Sequence, residues 1–165
     1  MGEFLNAGPD ANYHAAIMPT VKTTKRSTKP APFASPPDLP RRAISIRQPF
    51  AEMILRGKKK IEVRSFATKI RGHVCLYASF TRGADDSKCK RSVGCSWEEL
   101  DRGVLVGVIE ITDCRELLPT DGRAAGFSIY NPEGLFAWLV KPLKRFAKPI
   151  EPKAHAQPSY FFPFG

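Results

Sequence analysis

Ser45-Ile46-Arg47-Gln48-Pro49-Phe50-Ala51 and, six residues on, Gly57-Lys58-Lys59-Lys60-Ile61-Glu62-Val63-Arg64 hold the densest structural signals in the chain. A short strand is expected over Ala43 to Ile46. Pro49 then suits the first turn of a helix, where its missing N–H costs nothing, and Phe50, Met53 and Ile54 follow at helical spacing. Gly57 is the residue type that most readily takes the left-handed conformation closing a helix. Lys60 to Val63 alternates polar and apolar residues as a half-buried strand does. Strand, short helix, strand is therefore the opening unit. On its second strand Lys60, Glu62 and Arg64 share one face while Ile61 and Val63 share the other.

That polar face offers an acceptor between donors, and Lys59 sits where helix turns into strand, so its ammonium can swing over the same face. One reading is a simple lattice of ion pairs. The other is a recognition site, in which Glu62 accepts from the exocyclic amine or imino group of a base while Lys59 and Arg64 address its oxygens or a phosphate. Gln48, whose amide both donates and accepts, is a third candidate reader of a base edge. Phe50 is expected as a cleft wall. Ser45, Arg47 and Ser79, the last just beyond a later strand, complete the candidate ligand-binding set.

Outward from this unit, Arg71-Gly72 reads as a turn before a strand at His73 to Ala78, and Val104 to Thr112 is the most strongly β-branched segment. Leu135 to Val140 and Tyr160 to Phe164 are further strand candidates. Pro142 and Pro149 lie between them and predict an edge or turns there. Ser96 and Glu99 form a capping-box pattern for a short helix around Trp97 to Leu100, while Arg82 to Arg91 reads as a long exposed loop. Trp138 and Tyr77 are expected in the core. The fold class that emerges is α+β, mainly β: a partly closed barrel with a few short helices.

Residues 1–40 carry Pro30, Pro32, Pro36, Pro37 and Pro40 after a Thr/Lys-rich stretch, a composition that cannot offset its chain entropy by burial. They are read as a disordered or tag-like tail, with Met18 as an alternative start, and residues 41–165 as one folded domain. Lys22, Lys25, Arg26 and Lys29 would add a loose electrostatic grip on nucleic acid.

The net charge of +10 is unevenly placed: residues 41–91 hold 14 Lys/Arg against 4 Asp/Glu, residues 92–140 only 3 against 8. A concentrated basic half suits a phosphate backbone through counterion release. No apolar run approaches the roughly 20 residues that a spanning helix needs. Cys75, Cys89, Cys95 and Cys114 form no C-x-x-C pair and read as reduced thiols of a cytoplasmic protein, with no metal or cofactor called for. His14, His73 and His155 read as a tail, a strand and a loop residue.

Gly57-x-Lys59-x-x-Glu62-x-Arg64, preceded by Ser45-x-x-Gln48-Pro49-Phe50-Ala51, resembles the signature of the ASCH (activating signal cointegrator homology) family in order and spacing. Arg71-Gly72 with its strand to Ala78, Gly107 to Cys114, and Phe136-Ala137-Trp138 leading to Lys148-Pro149 extend the likeness over about residues 43–164. The resemblance implies a PUA-like β-barrel with a cleft beside the first helix, lined by the Gly-x-Lys-x-x-Glu-x-Arg element. It further implies an RNA-interaction module, acting as a monomer on RNA, on another single-stranded nucleic acid, or on a nucleobase or nucleoside.

Some family members are similar in fold but act as ribonucleases or as amidohydrolases on 4-acetylcytidine. In the amidohydrolase branch a threonine stands at the position of Glu62 and works with the lysine matching Lys59, so the catalytic alternative here makes Lys59 and Glu62 its pair, with Glu62 as a base toward water. A further carboxylate would come from Glu110, Glu116, Asp121 or Glu133. Ala154-His155-Ala156-Gln157 replaces a glycine-containing turn common in the family. A third alternative is a coactivator-type protein-interaction module docking through the acidic second half.

Overall fold

The computed structural model describes residues 38–154, 156 and 159–165. Residues 1–37 of the expected 1–40 tail lie outside the described residues, as do His14, His155 and Gln157. Leu39 nevertheless packs against the buried Ala43, Cys75 and Tyr77, so the fold takes in residues before position 41.

Six strands form one curled, half-barrel sheet in the order β2-β5-β4-β3-β1-β6, with few and short helices. In chain order these are β1 (Ala43–Gln48), α1 (Phe50–Leu55), β2 (Ile61–Arg64), β3 (Gly72–Arg82), α2 (Asp86–Val93), β4 (Val104–Glu116), a 3-10 turn at Pro119–Asp121, α3 (Gly122–Ala125), β5 (Phe136–Ile150) and β6 (Tyr160–Phe161). β1 pairs with β3 in parallel and every other pairing is antiparallel. A parallel pair needs a crossover connection, and here the crossover carries α1 and β2 away from β1 to the far edge of the sheet.

The curl brings that edge back. β2 and β1 stand four places apart in the strand order, yet the Arg64 guanidinium on β2 donates to the Ser45 carbonyl on β1 at 2.6 Å. α1 plugs the concave side, burying Ala51 and Ile54 among Ile44, Leu76, Ile109 and Trp138. Complete burial of a side chain the size of Ile54 contributes roughly 1.5–3 kcal/mol. The α1 carboxylate Glu52 is pinned from the outermost long strand, accepting from Arg145 Nη1 at 3.0 Å and Nη2 at 2.8 Å.

Two segments depart from the sequence expectations, and a third meets one of its two alternatives. Arg82 to Arg91 is not a loop. Asp85 accepts from the Lys88 N–H and caps α2, which buries Cys89 and Val93 beside Met53 and Leu100. Ser96 and Glu99 do pair, at 2.6 and 2.8 Å, but they close a single turn and no helix follows. Pro142 and Pro149 interrupt nothing, because β5 runs through both. β2 pairs only with Phe136 to Leu139, so among the described residues β5 beyond Val140 has no strand on its outer side, and a missing N–H there is harmless.

All four cysteines are free, with Cys75 and Cys89 buried, and burial pushes the Cys75 thiol up to about 11. Among the described residues no helix is long and apolar enough to cross a membrane, and no cluster of His, Cys, Asp or Glu has the makings of a metal site.

Candidate functional site

The half-barrel leaves a cleft of about 810 Å³ between β1, β2, β3 and the segment after α3. Its size falls in the range of about 300–1,000 Å³ usual for small-molecule sites. Of the candidate residues, Ser45, Arg47, Phe50, Lys59, Glu62, Arg64 and Ser79 all line it.

At its floor the three charged groups of the Gly-x-Lys-x-x-Glu-x-Arg element meet. Lys59 Nζ stands 3.4 Å from Glu62 Oε2, and Arg64 Nη2 stands 3.1 Å from Glu62 Oε1. Lys59 is only 1% exposed, and its ammonium also donates to the Ala125 carbonyl at 2.7 Å. It lies 5.3 Å from the ring centres of both Phe50 and Phe127, a spacing at which ring quadrupoles attract a cation. Burial lowers the Lys59 pKa from its ordinary value, and the neighbouring Glu62 carboxylate opposes that shift. Arg64 lies 5.6 Å from the Trp138 ring centre, which backs its guanidinium from the core side.

Local sequence explains this convergence. Gly57, at φ +69°, turns the chain sharply out of α1, and the N–H groups of Lys58 and Lys59 bond back to the Met53 carbonyl. β2 then starts at once, and its alternation aims Glu62 and Arg64 to one side. α3 is tied across this junction by Lys60 N–H to the Ala124 carbonyl at 2.8 Å, which sets the neighbouring Ala125 carbonyl over Lys59.

Gln48 is not part of the cleft lining. Its amide is consumed by the fold, Nε2 donating to the Asp101 carbonyl at 2.9 Å and Oε1 accepting from the Glu52 N–H at 3.0 Å. Ser79 faces the cleft, and its hydroxyl also accepts from the Thr81 N–H at 3.1 Å. Tyr77 belongs both to the core and to the lining. Trp138 is fully buried and donates to the Phe66 carbonyl at 3.0 Å.

None of the proposed auxiliary carboxylates reaches the cleft. Glu110 pairs with Lys141 at 2.7 Å on the sheet surface, and Asp121 is held by both Arg115 Nη groups at 2.7 and 2.8 Å. Glu116 and Glu133 are exposed and outside the lining.

Phe127, Phe80, Thr81 and Leu135 line the cleft without having been expected there. Phe127 meets Phe50 edge-on, at 6.1 Å between ring centres, and completes an aromatic wall. No signal local to Phe127 announces this role, which depends on where α3 docks. Phe80 is legible only as an aromatic placed after the buried part of its strand.

The comparisons agree with this architecture. The ASCH domain profile matches residues 44–150. The crystal structure of ASCH from Zymomonas mobilis is similar at 20% identity and a TM-score of 0.50, over 73% of this chain and 85% of that one. A single-residue variant of the same bacterial protein aligns at 17% identity and a TM-score of 0.46, over 73% and 88%. The comparison with curated proteins gives no match.

Proposed function

This chain belongs to the ASCH domain family, and from that premise we propose that its cleft binds RNA by holding one nucleobase against Glu62. The observation carrying this reading is the meeting of Lys59, Glu62 and Arg64 at the floor of an aromatic-walled cleft. A carboxylate has about four lone-pair sites, so Glu62 keeps acceptor capacity toward a base's amine or imino N–H after engaging both cations. Of the ammonium's three donors, Ala125 and Glu62 take two, which leaves one for a base oxygen. Phe50 and Phe127 give the base flat apolar surfaces, and Arg47, exposed at the rim, addresses the backbone. The basic half of the chain, residues 41–91, contains all of these charged groups. The four free thiols suit a reducing, cytoplasmic setting.

The test is fluorescence anisotropy with a labelled single-stranded ribo-oligonucleotide at low and high salt. Binding should weaken with salt and drop at least tenfold in Lys59→Met and Glu62→Gln proteins that retain the wild-type circular dichroism. Absence of binding at low salt, or affinities that neither substitution changes, would refute the proposal.

A hydrolytic reading draws on one observation, the buried lysine of lowered pKa beside Glu62. Glu62 would take a proton from water while Lys59 stabilises the developing oxyanion. Incubation with 4-acetylcytidine and with single-stranded RNA, wild type against Glu62→Gln, separates this reading from binding alone: products that the substitution abolishes establish turnover.

A further inference from the structure

Phe80 is 70% exposed although it is a large apolar side chain in an ordered strand. The tip of its ring lies against Gly103: a Cβ built there would collide with Phe80 Cζ, Cε1 and Cε2, and the Gly103 N–H is tied to the Ala78 carbonyl at 2.6 Å. Gly103 has φ +73°, a backbone conformation that any other side chain would adopt at a cost. The tip of the ring thus rests on bare backbone, and most of the side chain is exposed where it lines the cleft.

The surroundings of this ring are cationic. Arg47 on the adjacent strand is exposed and lines the same cleft. Arg82, two residues on along β3, and Arg102, next to Gly103, have their guanidinium groups 4.9 and 3.8 Å from the Trp97 ring centre, and Arg82 is paired with Asp86 at 2.7 Å. An exposed aromatic in one cleft with an exposed arginine is a combination that single-stranded nucleic acids recognise, the ring by stacking and the cation by phosphate contact. It suits an amphipathic nucleotide better than an apolar protein surface, which would have to desolvate the Arg47 guanidinium.

We propose that Phe80 is a second stacking platform, taking the nucleotide next to the one held over Glu62, so that the natural ligand is a single strand of at least two nucleotides. This rests on the nucleobase reading of the cleft, and the two can fail separately. The chemistry also sets a direction of selectivity: double-stranded RNA, whose bases are already stacked and paired, could occupy neither position without local unpairing.

The experiment measures binding of the four ribonucleoside 5′-monophosphates and of a mixed-sequence single-stranded hexaribonucleotide to wild type, Phe80→Leu, Phe80→Trp and Glu62→Gln. Phe80→Leu keeps apolar cover over Gly103 without a π-face. It should cost roughly 5- to 100-fold in hexanucleotide affinity, the range of one lost base–aromatic stack, and distinctly less in monophosphate affinity. Phe80→Trp should retain or raise hexanucleotide affinity. Glu62→Gln should weaken both kinds of ligand.

Equal losses for both ligands with Phe80→Leu, or no loss with either, overturn the platform while leaving the cleft reading intact. Hexanucleotide binding sensitive to Phe80 but indifferent to Glu62 would overturn the nucleobase site instead, and with it the adjacency proposed here. A blunt-ended RNA duplex of the same sequence, bound as tightly as the single strand, would also overturn the proposal.

Discussion

The Lys59 ammonium stands 3.4 Å from a Glu62 carboxylate oxygen and is almost wholly withdrawn from water, whereas Glu62 has a second cation, Arg64, at 3.1 Å. The pair is therefore asymmetric. Removing Glu62 leaves a buried ammonium with no counter-ion and a guanidinium close by, a situation that costs roughly 3–5 kcal/mol. Removing the ammonium leaves Glu62 still paired and deprives only the Ala125 carbonyl of its donor, at about 1–3 kcal/mol. Urea unfolding should accordingly rank Glu62→Gln below Lys59→Met in stability. The reverse order would mean that the ammonium is better solvated than its burial indicates.

The same burial sets a pH dependence. Desolvation moves Lys59 below its ordinary 10.5, with Glu62 opposing. The folded protein thus binds its proton less tightly than the unfolded chain does. Stability from this group is complete above 10.5 and is lost as pH falls through the folded-state value. Wild type should gain stability relative to Lys59→Met as pH rises through that window. In a ¹³C-lysine spectrum one Cε resonance, absent from Lys59→Met, should titrate below the others; a midpoint at or above 10.5 would contradict the desolvated site.

Asp121 holds the platform from which the Ala125 carbonyl and Phe127 enter the cleft. Its carboxylate accepts from both Arg115 Nη groups and from the Leu118 N–H at 2.9 Å, and the Arg115 hydrogen bonds lead in pulling its pKa below the usual 3.8. That stability is present above 3.8 and is lost as pH falls through the lowered folded value. Asp121→Asn should cost about 1–2 kcal/mol at neutral pH, the lower range for charge-assisted bonds because the Arg115 partner is more than a third exposed. The wild-type advantage should vanish in acid. Ligand affinity should fall at neutral pH too, because α3 carries one of the ammonium's acceptors; unchanged affinity would show that α3 holds its place without Asp121.

How much of this was readable beforehand follows from the range of the determining interactions. The opening strand, α1 and β2 were legible because Pro49, Gly57 and the alternation to Arg64 act within a few residues. The α2 helix was not. Its Asp-Ser-Lys-Cys-Lys-Arg-Ser-Val run buries only Cys89 and Val93, too thin an apolar stripe to stand out, although the Asp85 cap was available to be read. The edge alternative read from Pro142 and Pro149 holds, but a strand continuous through both was not legible, because it depends on where β2 ends, a property of another strand. In the site, Lys59, Glu62 and Arg64 were visible through spacing on one strand. Gln48 lies outside the cleft lining because its partners, Asp101 and Glu52, are fixed by packing, and Phe127 was not legible for the same reason.

One close approach between β4 and β5 invites a direct test. At Gly107 the β4–β5 register shifts, and a Cβ added there would lie well inside contact distance of the Lys144 carbonyl oxygen and 2.8 Å from Leu55 Cδ2. The first obstacle is backbone of the neighbouring strand, which can yield only if β5 moves as a whole. That movement would carry Arg145 away from Glu52 and loosen α1. Gly57 differs in kind: its φ is +69°, but a Cβ there would meet nothing within 4 Å. Gly57→Ala should therefore cost only the left-handed backbone penalty, about 1–2 kcal/mol, and keep a native spectrum. Gly107→Ala adds overpacking of about 1–3 kcal/mol or more to the loss of the Glu52 clamp. Thermal unfolding should place Gly107→Ala clearly below Gly57→Ala, with hydrogen exchange accelerated in α1 only in the former; equal melting temperatures would mean that β4 and β5 are not in close contact at this crossing.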